Sequence, residues 1–119
     1  MEEKYVLLIQ EDIIILKILE SLVLSRGFAC KAITSLAGLD IEDQNINFDF
    51  IISDILFEGI APLDYVGQVQ EIISHKNLLI VTSMGQENVR KEITTLSGIK
   101  GFFSVPFDLD HIEEILESS

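Results

Sequence analysis

The chain has 119 residues, 48% of them hydrophobic, with only two prolines, which fits one domain around one core and excludes a disordered or low-complexity segment. A formal charge of −12 argues against a basic groove that tracks phosphates, so direct nucleic-acid binding is not expected. The acidity suits a cationic partner or a divalent metal, and equally suits plain solubility.

Glu2 and Glu3 stand where a signal peptide carries basic residues, and Glu11, Asp12, Lys17 and Glu20 interrupt any run long enough to span a bilayer. A soluble, cytoplasmic protein is the expectation. Tyr5–Ile9 is a short continuous apolar run, as in a strand buried on both faces. Ile13 to Arg26 follows as a helix, with Ile15, Ile18, Leu19 and Leu22 at core spacing and Gly27 as its stop. Phe28–Ile33 reads as a second strand. Within it Cys30, the only cysteine, is a small buried hydrophobe that can form no internal disulfide.

A weaker, shorter helix is expected near Ser35–Glu42, and Asp49–Ser53 is the third strand. Pro62 can open a helix, since its missing N–H is not needed in the first turn; Leu63, Val66, Val69 and Ile73 mark its buried stripe. Leu78–Thr82 is the fourth strand, and Val89, Ile93 and Leu96 give the next helix its face. Gly98 closes that helix, Gly101–Ser104 is a fifth strand, and Leu109–Leu116 a last helix. Five strand–helix units in alternation imply a parallel sheet covered by helices on both faces.

One residue resists this scheme. Asp54 lies between the apolar runs Phe50–Ile52 and Ile55–Phe57, where an unpaired carboxylate is costly. At the carboxyl end of the third strand it can emerge into the crevice where open parallel sheets collect their function. The same edge receives Gln10, Glu11 and Asp12 from the first strand, Thr82 and Ser83 from the fourth, and Ser104 and Val105 from the fifth. Glu11, Asp12 and Asp54 would make a compact oxygen set of the kind magnesium uses. Taken singly, the Glu11–Asp12 pair is equally a helix N-terminal charge, and Thr82 a strand-end hydroxyl bonding locally.

Four stretches carry a resemblance to response-regulator receiver domains, the chemotaxis-regulator-like phosphoacceptor modules of two-component signalling. They are VLLIQED, FDFIISDILFEGIAPLDYV, LLIVTSMG and GIKGFFSVPF, in the family's order and spacing across essentially the whole chain. The resemblance implies a flavodoxin-like doubly wound five-stranded parallel sheet of order 2-1-3-4-5. It implies that Asp54 takes a phosphoryl group from a histidine kinase or a histidine phosphotransfer protein, at most with slow self-catalysed transfer and dephosphorylation. Glu11 matches the second member of the acidic metal pair, and the Leu56 carbonyl the backbone ligand of Mg2+, with Asp54 between them. Thr82 matches the switch hydroxyl, Phe102 the switch aromatic and Pro106 the proline after a cis bond. The resemblance also allows a homodimer through the last two helices and fifth strand, and an output domain beyond the C-terminus.

Three positions depart from that pattern. Gln10 stands at the first acidic position, with Asp12 one residue later able to compensate. Val105 replaces the lysine that pairs with the phosphoryl oxygens, and Lys100, at the far end of its strand, is a poor substitute. Glu58 and Ala61–Pro62 replace the usual proline and Asp-Gly, adding negative charge. The expectation is therefore a receiver with impaired or altered switching, and the alternative a pseudo-receiver that works as a phosphorylation-independent interaction module.

Ile13, Leu16 and Leu24 fall outside the stripe assigned to the first helix, toward Lys17 and Glu20. They read either as ordinary exposed apolar residues or as a docking patch for a histidine-bearing helix bundle. An enzyme is disfavoured. An aspartate-nucleophile phosphatase wants a second acid where Leu56 stands, no Gly-rich phosphate loop follows the first strand, and His75 and His111 are isolated near helix ends.

Overall fold

The computed structural model describes residues 3–83 and 87–118. Met84 and Gly85 of the LLIVTSMG stretch lie outside the described residues. Five parallel strands run β1 (Tyr5–Ile9), β2 (Ala29–Ile33), β3 (Phe48–Ser53), β4 (His75–Thr82) and β5 (Ile99–Ser104), in the spatial order β2-β1-β3-β4-β5. The helices are α1 (Ile13–Ser25), α2 (Pro62–Ile72), α3 (Glu87–Thr94) and α4 (Leu109–Glu117). No helix among the described residues is long and apolar enough to cross a membrane.

The period-2 geometry of the strands divides the core into two layers. Leu7, Ile9, Ile51, Leu78 and Ile80 point to one face, where they meet Tyr65, Val66 and Val69 of α2 and Ile93 of α3. Val6, Leu8, Phe50, Ile52, Leu79 and Val81 point to the other, against Leu19 and Val23 of α1 and Ile112 and Leu116 of α4. Each such side chain contributes roughly 1.5–3 kcal/mol by leaving water. This explains the continuous apolar runs of the central strands: both faces are covered.

α1 ends as its sequence directs. Gly27 takes a φ of 86°, a region open to glycine at no steric cost, and donates to the Leu24 carbonyl, while Phe28 donates back to Val23. Phe28 and Val23 then pack in the same layer, so the turn that stops the helix also seals its lower end.

Three expectations need correction. The stretch near Ser35–Glu42 is not an α-helix but contributes to two single 3-10 turns, Leu36–Gly38 and Asp43–Asn45. The Asp43 carboxylate accepts the Asp40 N–H at 3.0 Å, and Lys31 draws in Asp40 and Asp43 together, so side chains satisfy the backbone that a helix would have used. In α1 the buried residues are Leu16, Leu19 and Val23, whereas Ile18 is exposed and Ile15 and Leu22 are half-buried. Leu16 is therefore core. In α2, Leu63 is exposed and Tyr65 takes its place beside Val66 and Val69.

Candidate functional site

The parallel register brings the strand ends to one edge. Ile9 pairs with Ser53, Ser53 with Ile80, and Thr82 with Ser104, so the residues just beyond them share one rim. Glu11, Asp12, Asp54, Leu56 and Ser83 line a cleft there of about 360 Å3. Beside it, Glu11, Phe57, Glu58, Ile60 and Pro62 line a second hollow. Of the site residues expected from sequence, Glu11, Asp12, Asp54 and Leu56 are thus gathered at one cleft.

Asp54 forms its floor, only 7% exposed, with its own N–H donating to the Ile9 carbonyl at 2.9 Å. Its Oδ1 accepts two backbone N–H groups, from Ile55 at 2.6 Å and Leu56 at 3.1 Å. The carboxylate is therefore compensated on one oxygen by main-chain dipoles, which answers how a negative charge survives in this apolar stretch.

Thr82 and Phe102 sit deeper. Thr82 is fully buried and its carbonyl accepts the Val105 N–H at 2.9 Å. Phe102 belongs to the core layer under α2 and α3, with the Arg90 guanidinium 5.8 Å from its ring centre. Neither lines the Asp54 cleft. Val105 is 44% exposed and precedes a cis bond to Pro106, as the resemblance implied.

Asp12 is exposed and serves as the N-cap of α1: its Oδ1 accepts from Ile14 at 2.9 Å and Ile15 at 3.3 Å. Gln10 is turned the other way, fully buried, with Nε2 donating to the Val81 carbonyl at 3.2 Å and reaching past β3 to do so. A carboxylate at this position could not donate that bond. Gln10 Oε1 is buried with no hydrogen-bond partner among the described residues.

Family models and curated sequences give no match to this chain. Solved structures do. A response regulator receiver protein from Pseudomonas putida superimposes with a TM-score of 0.82 at 14% identity, covering 100% of this chain and 99% of that one. A CheY-like response regulator receiver domain protein from Methanospirillum hungatei JF-1 gives 0.78 at 15%, covering 98% and 94%. A response regulator from Thermotoga maritima gives 0.78 at 15%, covering 98% and 97%. The chain has the receiver-domain fold. At these identities the likeness speaks for the fold, and the chemistry of the cleft must be argued from its own residues.

Among the described residues, no three of His, Cys, Asp and Glu form a metal-holding group. What the cleft does offer is Glu11, Asp12, Asp54 and Leu56 on one lining, with oxygen donors only; Gln10, turned toward Val81, is not among them. That oxygen-only set fits Mg2+, which takes one or two carboxylates and keeps most of its waters.

Sequence reading missed Ser53 and Tyr65. Ser53 is fully buried, and its hydroxyl lies 2.7 Å from the Asp54 carbonyl and 2.8 Å from the Tyr65 hydroxyl. The signal depended on the phase of α2: once Tyr65 rather than Leu63 lies on its inner stripe, the buried hydroxyl must find a partner. Burial pushes the Tyr65 phenol from 10.0 up to about 12, and the nearby Asp54 charge adds to it.

The sign of the resulting pH effect follows. The folded state holds the Tyr65 proton more tightly than the unfolded chain, so its contribution is complete below pH 10 and is lost as pH climbs toward 12. Cys30 behaves alike, raised from 9.0 to about 11 by burial first and the Glu20 charge second. Urea midpoints should hold level from neutral pH to about 9 and then fall, with Tyr65→Phe removing the upper part of the fall. Midpoints that stay level at alkaline pH would contradict this.

Proposed function

We propose that this chain is a phosphorelay receiver that accepts a phosphoryl group on Asp54 from a phosphohistidine of a kinase or phosphotransfer protein, with altered switching. The observation that carries the reading is Asp54 itself: a nearly buried carboxylate at the carboxyl end of β3, one oxygen held by two main-chain amides, at the floor of an acidic cleft. In the transfer, an Asp54 oxygen forms a bond to phosphorus while the phosphorus–nitrogen bond to the donor imidazole breaks, and the imidazole leaves with a proton. Mg2+, held by Glu11, Asp54 and the Leu56 carbonyl, would neutralise charge on the phosphoryl oxygens when bound. The amides of Ile55 and Leu56 orient the nucleophile, and Glu11 and Glu58 give the mouth a charge that favours a cationic donor surface.

The altered switching rests on Val105. With valine rather than lysine at position 105, an added phosphoryl group has less to pull on, and Phe102 is already packed in the core. The donor's surface is read from α1, where Ile13, Ile14 and Ile18 are exposed and Ile18 shares a groove with Lys17, Leu22 and Leu109.

The test is incubation with Mg2+ and a small phosphodonor, followed by intact mass. The wild type should gain one phosphoryl group, and Asp54→Asn none. An unlabelled wild type, under conditions that label an ordinary receiver, would sink the proposal. One observation favours the second reading, a phosphorylation-independent module: the Gln10 bond to Val81 ties the edge of β4 without any charge. On that reading Asp54→Ala leaves the cellular function unaltered.

A further inference from the structure

Ser53 and Tyr65 form a buried pair behind Asp54, with half-buried Phe57 against the tyrosine ring, that the phosphoacceptor chemistry, as described so far, does not use. The direction of its hydrogen bonds can be worked out. The Asp54 main-chain oxygen can only accept, so at 2.7 Å the Ser53 hydroxyl spends its one proton there. The Tyr65 hydroxyl, 2.8 Å from Ser53 Oγ, must then be the donor of the second bond. A chain runs from Tyr65 on α2, through Ser53 at the end of β3, to the carbonyl of Asp54.

That carbonyl belongs to the peptide unit joining Asp54 to Ile55. The N–H of the same unit donates to Asp54 Oδ1 at 2.6 Å. Because a peptide unit is planar, pinning its oxygen fixes where its N–H points. Tyr65 therefore acts on the carboxylate through one rigid plane. The Leu56 N–H adds a second bond to Oδ1 at 3.1 Å, and Phe57, next along, lies against the Tyr65 ring at 4.6 Å between centres. The whole loop start is braced on one tyrosine, which is 3% exposed.

We propose that Tyr65 is a positioning residue for Asp54: acting through Ser53, it fixes the 54–55 peptide plane so that Oδ1 is held by the Ile55 and Leu56 amides and Oδ2 is the oxygen that attacks. Oδ2 then forms the bond to phosphorus as the bond from phosphorus to the donor's leaving atom breaks. The catalytic part of this rests on the phosphoacceptor reading above. The positioning part does not, since it concerns the resting carboxylate.

The experiment is amide-proton NMR of the full chain, with phosphoryl uptake from a small phosphodonor measured in parallel. Tyr65→Phe keeps the ring against Phe57 and removes only the hydroxyl. The Ile55 amide proton, shifted downfield by its short bond to a carboxylate, should move upfield, and its exchange should quicken about fivefold, as loss of one hydrogen bond implies. Phosphoryl uptake should slow by a similar factor, about fivefold. Amides of Ile80 and Val69, in the same core layer, should keep their shifts. Ser53→Ala should reproduce these effects, adding Tyr65→Phe to it should change nothing more, and Ser53→Thr, which keeps a hydroxyl, should retain wild-type behaviour.

An Ile55 amide that stays in place in Tyr65→Phe overturns the proposal, as do additive effects of the two changes. If Tyr65→Phe unfolds, the Ser53→Ala and Ser53→Thr pair decides by the same shifts. A wild type that takes no phosphoryl group, yet shows the Ile55 shift, defeats the phosphoacceptor reading and leaves Tyr65 as the residue that orients the carboxylate.

Discussion

Val105→Lys should speed phosphoryl uptake at Asp54 about thirtyfold, the largest gain expected from any single change at the site. Two unit charges about 4 Å apart are worth roughly 4 kcal/mol at an effective dielectric near 20. Position 105 is 44% exposed, so solvent screens part of that, and about half, or about 2 kcal/mol, is a sounder figure. A barrier lowered by about 2 kcal/mol is about thirtyfold in rate. The cleft supplies the reason: Glu11, Asp12 and Asp54 line it without a cationic side chain among the lining residues. Val105→Met is the control, since it adds length without charge. Rates of adduct formation by mass spectrometry would decide, and equal rates for the lysine and methionine variants would count against a missing cation as the cause. The gain should also shrink as salt is raised.

The second large effect separates the surface of α1 from its core. Ile14→Ser combined with Ile18→Ser should weaken transfer from a phosphorylated histidine phosphotransfer domain at least tenfold, because each buried isoleucine is worth roughly 1.5–3 kcal/mol at an interface of this kind. Ile14 is 72% exposed, and neither change reaches the sheet. Leu16→Ser should do the opposite. It removes a core side chain packed with Leu19 and Val23 and should cost about 3 kcal/mol of stability, visible as a lowered urea midpoint. If the Ile14/Ile18 variant folds and receives phosphoryl groups at the wild-type rate, α1 is not the docking face.

What could be read from the chain without coordinates follows from how each signal arises. β1, β3 and β4 were legible because strands covered on both faces must be apolar throughout, and only a parallel sheet demands that. Asp54 was legible because a carboxylate in such a run has few ways to be tolerated. The phase of α1 was not. When Ile13, Ile14, Ile15, Leu16 and Ile18 are all apolar, periodicity cannot say which face is inward, and contact with the sheet chose Leu16 over Ile18.

The missing helix after β2 shows a different limit. The LAGLDIEDQN stretch has some apolar spacing, but Asp43 offers its carboxylate to the Asp40 N–H and both acids take Lys31, contacts no local pattern announces. The site was half legible. Glu11, Asp12, Asp54 and Leu56 share a cleft as strand order implies, whereas the inward turn of Gln10 toward Val81 joins residues 71 apart. The Tyr65–Ser53 bond crosses from helix to strand, and with Leu63 read in place of Tyr65 on the inner stripe of α2 nothing in the sequence reading pointed to it.

The most direct measurement is a crystal structure of the chain with Mg2+ and beryllium fluoride, which mimics a phosphoryl group on a carboxylate. The expected result is beryllium bonded to Asp54 Oδ2, with Oδ1 still held by the Ile55 and Leu56 amides and a magnesium ion against Glu11 and the Leu56 carbonyl. An Asp54 carboxylate left bare at saturating fluoride would contradict a phosphoacceptor role.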